Sequence, residues 1–197
     1  MDKPFAESCE QNKEAILSVL REIFTQDALL LEIGSGTGQH AVYFSRHLPH
    51  LTWQTSDLTD RHHAIGQWLD DAALDNVLAP LALDVSQAIW PISQADAIFS
   101  ANTLHIMSWH HVSRFFDGAG KILQRGGKLA VYGPFNYHGN FSSDSNARFD
   151  QWLKDRDPLS GIRDFEALDA LALPHGMRFD QDIEMPVNNR ILVWVKQ

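Results

Sequence analysis

Apolar residues recur every three or four positions at the start of the chain. Ile16, Leu17, Leu20, Ile23 and Phe24 fall on one side of a helix drawn over residues 11–24, within an N-terminal helical segment of about residues 1–27. The period then changes. Residues 28–33, ALLLEI, form a short, nearly continuous apolar run, as expected for a parallel strand buried on both faces. A glycine-rich loop follows, and Ala41, Phe44 and Leu48 mark a helix that Pro49 ends.

The alternation repeats along most of the chain. Strands are predicted at 51–57, 77–84, 95–101 and 128–134. Between them lie a helix carrying Ala64, Ile65, Trp68 and Leu69 and one carrying Val112, Phe115, Phe116, Ala119, Ile122 and Leu123, stopped at the glycines of RGG. Pro80 has no N–H to give a neighbouring strand, which puts 77–84 at a sheet edge. Residues 136–160 are polar and loop-rich, with a short helix near 147–154, and read as a lid-like insertion. A helix over 164–173 precedes two strands, MRFDQDI and RILVWVK, joined by about seven residues. So short a connection makes them antiparallel neighbours. The pattern predicts one α/β domain over 1–197, doubly wound, with a mostly parallel seven-stranded sheet ending in an antiparallel strand.

Composition narrows the setting. With 197 residues, 44% hydrophobic and 21% charged, the chain has the make-up of one globular domain. Its one cysteine, Cys9, allows no internal disulfide, which suits a cytoplasmic location. Neither a signal peptide nor a membrane-spanning run is apparent. A net charge of −9 with scattered basic residues disfavours bulk nucleic-acid binding. Ten histidines raise the question of metal, but no H-E-x-x-H or C-x-x-C spacing appears, and none is expected.

The chemistry concentrates in LEIGSGTGQH, residues 31–40. A dinucleotide fingerprint needs glycine at position 39, where glutamine stands. A P-loop needs a Gly-Lys-Ser/Thr sequence, which is absent. What remains is a loop whose Gly34, Gly36 and Gly38 let a ligand approach the backbone, or a tight strand-to-helix turn with no ligand. Asp57 and Asp84 stand at the carboxyl ends of the next two strands, where open α/β sheets bind ligands. Each could equally cap the following helix.

LLEIGSGTG resembles motif I of the class I S-adenosylmethionine-dependent methyltransferases. The resemblance implies a Rossmann-like fold with S-adenosylmethionine as cofactor and S-adenosylhomocysteine as product. It implies that Gly34, Ser35, Gly36 and Gly38 underlie the cofactor and that Glu32 faces its ammonium side. It further implies that Asp57 and neighbouring Leu58 meet the ribose, that Asp84 and Val85 meet the adenine, and that Ala101 lies alongside. Segments FSANTLHIMSW, YGPFNYHG, MPVNNRILV and PFAESCEQNKEAIL also resemble a family of short methyltransferase-like proteins known by a domain-of-unknown-function label.

On the acceptor side, SANTLHI lacks the Asn/Asp-Pro-Pro-aromatic signature of methyltransferases acting on nucleic-acid or amide nitrogens, so a small-molecule acceptor is expected. His105 is the candidate general base, since imidazole titrates near neutrality. Asn12, Asn102, Asn136, Tyr137 and Arg163 are candidates for the acceptor pocket. Arg163 would either clamp an acidic substrate or pair with a local Asp. Two other readings compete: a catalytically silent S-adenosylmethionine-binding interaction module, and a nicotinamide-dependent oxidoreductase. Oligomeric state is not encoded in these patterns.

Overall fold

Side chains alternate across each strand, so the sheet has two apolar faces and must be covered twice. In the computed structural model, which describes residues 3–197, helices cover both; Met1 and Asp2 of the expected N-terminal segment lie outside the described residues. The chain runs α1 (Glu7–Ile23), β1 (Ala28–Glu32), α2 (Gln39–His47), β2 (Leu51–Asp57), α3 (His62–Ala72), β3 (Val77–Ala82), β4 (Ala95–Ala101) and α4 (Trp109–Ile122). It continues through β5 (Leu123–Gly133), β6 (Phe135–Asn136), α5 (Asp144–Arg156), β7 (Arg163–Asp164), α6 (Phe165–Ala172), β8 (Met177–Met185) and β9 (Asn189–Lys196).

Sheet order is β3-β2-β1-β4-β5-β9-β8. The first five strands are parallel, and β9 is antiparallel to both its neighbours. This is the seven-stranded doubly wound architecture that the pattern predicts. Leu30, Phe99, Tyr132 and Val193 face one way and pack with Ile16 and Leu20 of α1 and Phe44 of α2. Leu31, Ile98, Val131 and Trp194 face the other way, against Phe115 and Phe116 of α4 and Leu168 of α6. Each such side chain contributes roughly 1.5–3 kcal/mol on burial, so these two clusters hold the helices to the sheet. Pro80 sits in edge strand β3, as its missing donor requires. The other edge, β8, carries Arg178, Asp180, Asp182 and Glu184, charges that discourage pairing with another chain.

Some boundaries differ slightly from the pattern: β3 stops at Ala82, and only Pro186–Asn188 join β8 to β9 rather than about seven residues. Three larger differences have identifiable causes. Helix α1 starts at Glu7, before the apolar period begins, because Glu7 and Glu10 suit the positive end of the helix dipole. Helix α4 ends at Ile122 rather than at RGG. Leu123 already pairs with Ala95, and the two glycines lie inside β5, where its register against β4 shifts. The polar insertion is more ordered than expected. Ser143 caps α5 by accepting from the Asn146 N–H, and the helix runs to Arg156. Pairing of β6 with β7 closes the base of this excursion. Among the described residues no helix is long and apolar enough to cross a membrane.

Candidate active site

Strand order reverses between β1 and β4, so the loops after these strands diverge and leave a crevice at their carboxyl ends. A cavity of about 650 Å³ occupies it. Gly34, Ser35, Gly36, Asp57, Leu58, Asp84, Val85 and Ala101 all line this cleft, drawn together from the ends of four strands.

The loop after β1 is pinned to β2. The N–H groups of Gly34 and Ser35 both donate to the Ser56 carbonyl, at 3.0 and 2.9 Å. Ser56 Oγ donates to the Glu32 carbonyl at 2.6 Å. Gly34 has φ +79°, and a Cβ there would stand 2.5 Å from Thr103 Cγ2, so no side chain fits. Gly36 differs, since a Cβ there meets nothing within 4 Å and would project into open space. The Asp57 carboxylate closes the loop, accepting from the N–H of Gly36 and from that of Leu58, each at 2.7 Å. Burial raises the Asp57 pKa despite these two bonds. Asp84 is the opposite case. It accepts from the Ser86 N–H at 2.8 Å, which lowers its pKa and keeps it ionised.

Two residues of the loop do not line the cleft. Glu32 is only 1% exposed and lies beneath Ser35, whose Oγ donates to it at 2.7 Å. Trp53 Nε1 donates to the same oxygen at 3.1 Å. Burial pushes the Glu32 pKa up to about 7, with a smaller contribution from the charge of Asp57. Its direct approach to a ligand is therefore blocked by Ser35. Gly38 caps α2, and its missing side chain makes room for α3: a Cβ would stand 3.1 Å from Ile65 Cα.

A second cavity of about 550 Å³ adjoins the first, and Ser8, Asn102 and Ile106 line both. Its walls come from α1, the loop after β4, the end of β5, α5 and the turn between β8 and β9. Asn12, Asn102 and His105 line it, as the sequence suggested. Burial holds the His105 pKa down at about 4, with the charge of Arg163 adding to the effect, so its imidazole is neutral at pH 7. Among the described residues neither the His105 ring nor the Asn102 amide has a hydrogen-bond partner. Both converge above Gly133, where a Cβ would be 3.7 Å from His105 Nδ1 and 3.9 Å from Asn102 Oδ1. Asn102 holds φ +58°, a left-handed conformation that asparagine tolerates better than most residues.

Three expected pocket residues lie elsewhere. Asn136 is in β6, paired with β7. Tyr137 donates its hydroxyl to Asp182 of β8 at 2.8 Å and packs against Phe165. Arg163 lines neither cavity and pairs with no acid among the described residues. Its guanidinium donates to the carbonyls of Leu104 at 3.1 Å, of Leu159 at 2.9 Å, and of Met107. With the Gly161 N–H donating to the His105 carbonyl at 2.8 Å, the end of the insertion grips the turn that carries His105.

Other wall residues have no signal in local sequence. His40 of α2 lines the cleft, with a pKa lowered to about 4 by burial. Its Nε2–H donates to Asn12 Oδ1 at 2.7 Å, tying α1 over the loop. Phe149 and Trp152 of α5 line the second cavity one helical turn apart, stacked at 5.8 Å. Only their spacing of three within a helix could have marked them as a shared face.

Solved methyltransferase structures share this fold. The O-methyltransferase family 2 protein from Planctomyces limnophilus, solved in complex with apigenin, matches with a TM-score of 0.81 at 15% identity, over 96% of this chain and 60% of that one. An O-methyltransferase family protein from Burkholderia thailandensis matches with a TM-score of 0.80 at 14% identity, over 94% and 56%. Human N-acetylserotonin methyltransferase, solved in complex with S-adenosylmethionine, gives 0.79 at 16% identity, over 96% and 53%. The chain thus spans little more than half the length of these proteins, and at such identities the likeness is one of fold. The family model described as "Protein of unknown function (DUF938)" matches residues 3–196, and the chain belongs to that family.

Proposed function

We propose that the protein is an S-adenosylmethionine-dependent methyltransferase acting on a small-molecule acceptor. The observation that carries this reading is the pair of joined cavities. One lies at the switch point over a glycine loop, and the other holds a neutral imidazole with no protein partner.

The residues present fit the cofactor. Both Asp57 oxygens accept backbone N–H groups yet retain lone pairs, so the carboxylate can also accept from a ribose diol. Open space above Gly36 leaves room for a bound molecule against the loop backbone. Asp84, half-exposed at the far side of the cleft, offers an acceptor to an adenine amino group. Glu32 acts through Ser35, placing negative charge under the loop on the side where the ammonium group would lie. When bound, the cofactor supplies an electrophilic methyl group on a sulfonium. The chain's own residues hold the acceptor at Asn102, exclude water with α1 and α5, and take the released proton at His105. Such positioning and desolvation are the main levers for a displacement of this kind.

Calorimetry with S-adenosylhomocysteine and with NAD tests the reading. Micromolar binding of S-adenosylhomocysteine is expected, weakened at least tenfold in Asp57→Ala. Binding of NAD without S-adenosylhomocysteine overturns it.

A further inference from the structure

The chain carries a net charge of −9, yet its second cavity is uncharged. Among the described residues that line it there is no Asp, Glu, Lys or Arg. Arg163 is occupied by three backbone carbonyls, and Arg156 lies over the Trp152 ring at 4.5 Å from its centroid; neither reaches the lining. The lining is instead of two kinds. Phe149, Trp152 and Tyr132 present rings, backed by Pro134, Leu153 and Pro186. Polar groups are amides, the hydroxyls of Ser8, Ser145 and Tyr132, and His105.

Most of those amides are already engaged. Asn12 accepts from His40, Asn146 donates to Ser142 and to the Asn188 carbonyl, and Asn189 donates within its own turn. Of the lining amides and the imidazole, only Asn102 and His105 have no partner among the described residues, and they stand side by side above Gly133. A polar group entering the cavity therefore finds two partners at one place, next to the opening into the cleft. Much of the remaining wall is apolar and aromatic. A carboxylate or ammonium here would lose its hydration with no counter-charge in return, a cost of several kcal/mol.

We infer that the acceptor is an uncharged, planar hydroxyl compound of the phenol or enol class, its ring against Phe149 and Trp152 and its hydroxyl between Asn102 and His105. This rests on the methyltransferase reading for the reaction, but the pocket chemistry stands apart from it. The new O–CH3 bond forms as the S–CH3 bond breaks. The bonding electron pair stays on sulfur, and the hydroxyl proton passes to the imidazole. Planarity follows from the aromatic lining of Phe149, Trp152 and Tyr132. A neutral imidazole beside the hydroxyl takes the proton of a group that ionises near about 10 far more readily than that of a much less acidic aliphatic alcohol.

The test is a matched panel of 2-naphthol, 6-hydroxy-2-naphthoate and decahydro-2-naphthol. Each is titrated into the full chain with and without saturating S-adenosylhomocysteine, and binding is followed by calorimetry. The expected result is that 2-naphthol binds at least tenfold tighter than the other two. Trp152→Ala should weaken it about fivefold without altering S-adenosylhomocysteine affinity. Equal or tighter binding of the carboxylate or of the saturated alcohol overturns the inference, as does no 2-naphthol binding up to its solubility limit. If the naphthol selectivity appears but S-adenosylhomocysteine does not bind, the pocket assignment stands and the methyltransferase reading falls.

Discussion

The two cavities are built differently. The cleft is assembled from consecutive strand ends: Gly34 and Ser35 after β1, Asp57 ending β2, Asp84 after β3, Ala101 ending β4. Each residue sits where the alternation of elements puts it, and charged groups line the space. The second cavity draws on Asn12, His105, Tyr132, Phe149 and Asn189, from helices, a loop, the end of β5 and a hairpin distant in sequence, and its lining is uncharged. A ligand made of the same parts in every enzyme can be met by a repeated local device. A ligand that varies has to be met by elements free to vary, and those attach at the rim.

The sharpest way to break this contrast is at Gly34. Valine there would face Thr103 at a distance no contact tolerates, with φ +79° adding strain. Gly34→Val is expected to abolish S-adenosylhomocysteine binding and to lower folded yield, read by calorimetry and circular dichroism. Intact binding would show that the loop is not fixed by sterics.

Next in size is Arg163→Met. The variant leaves three carbonyls around the His105 turn without their donor, at about 1.5–3 kcal/mol for each charge-assisted bond, less where water substitutes. Thermal unfolding should shift down by several degrees and turnover should fall, while S-adenosylhomocysteine affinity stays within twofold. Loss of cofactor affinity would erase the distinction between the two halves.

Acid tests both halves together. His40 and His105 have folded pKa values near 4, below the 6.5 of an exposed histidine. The unfolded chain therefore takes up protons first. Their contribution is fully present above pH 6.5 and is lost as pH falls toward 4, amounting to about 2 kcal/mol each by pH 5. Glu32 acts in the opposite sense, because its folded pKa of about 7 lies above that of a free carboxyl, and it offsets part of this loss between pH 7 and pH 5. Denaturant titrations at the two pH values should therefore show a larger loss in the unmodified chain than in His105→Gln. Equal losses in the two would mean that the His105 ring is solvated.

The smallest effect concerns Glu32. With its pKa near 7, the carboxyl is half protonated at pH 7, and a cationic ligand nearby favours the ionised form. Cofactor binding should release up to about half a proton, seen as a dependence of the calorimetric enthalpy on buffer ionisation. No proton release would separate Glu32 from the bound cation.

The strand ends were legible because period and position are local properties. Asp57 and Asp84 close predicted strands, and Pro80 marks an edge without reference to anything distant. Sequence reports the neighbours of Glu32 along the chain, not that Ser35 would fold over it. Nor does it report the closeness of Gly38 to Ile65, a contact between two helices. Asn136 and Tyr137 looked like pocket residues because they follow the fifth strand, and Arg163 because it lies in the polar insertion. The chain turns away there, through β6, and Tyr137 ends on β8.

By itself the sequence determined the α/β alternation, the sheet edge at β3, the reversed terminal strand and the acids of the cleft. All of these follow from residue type at fixed spacing. Tertiary structure decided which side chains meet across long separations. It put His40 against Asn12, α5 over His105, and Arg163 under the turn that carries it. Burial then set the protonation states, because desolvation depends on everything packed around a group and on nothing the group's own segment reveals.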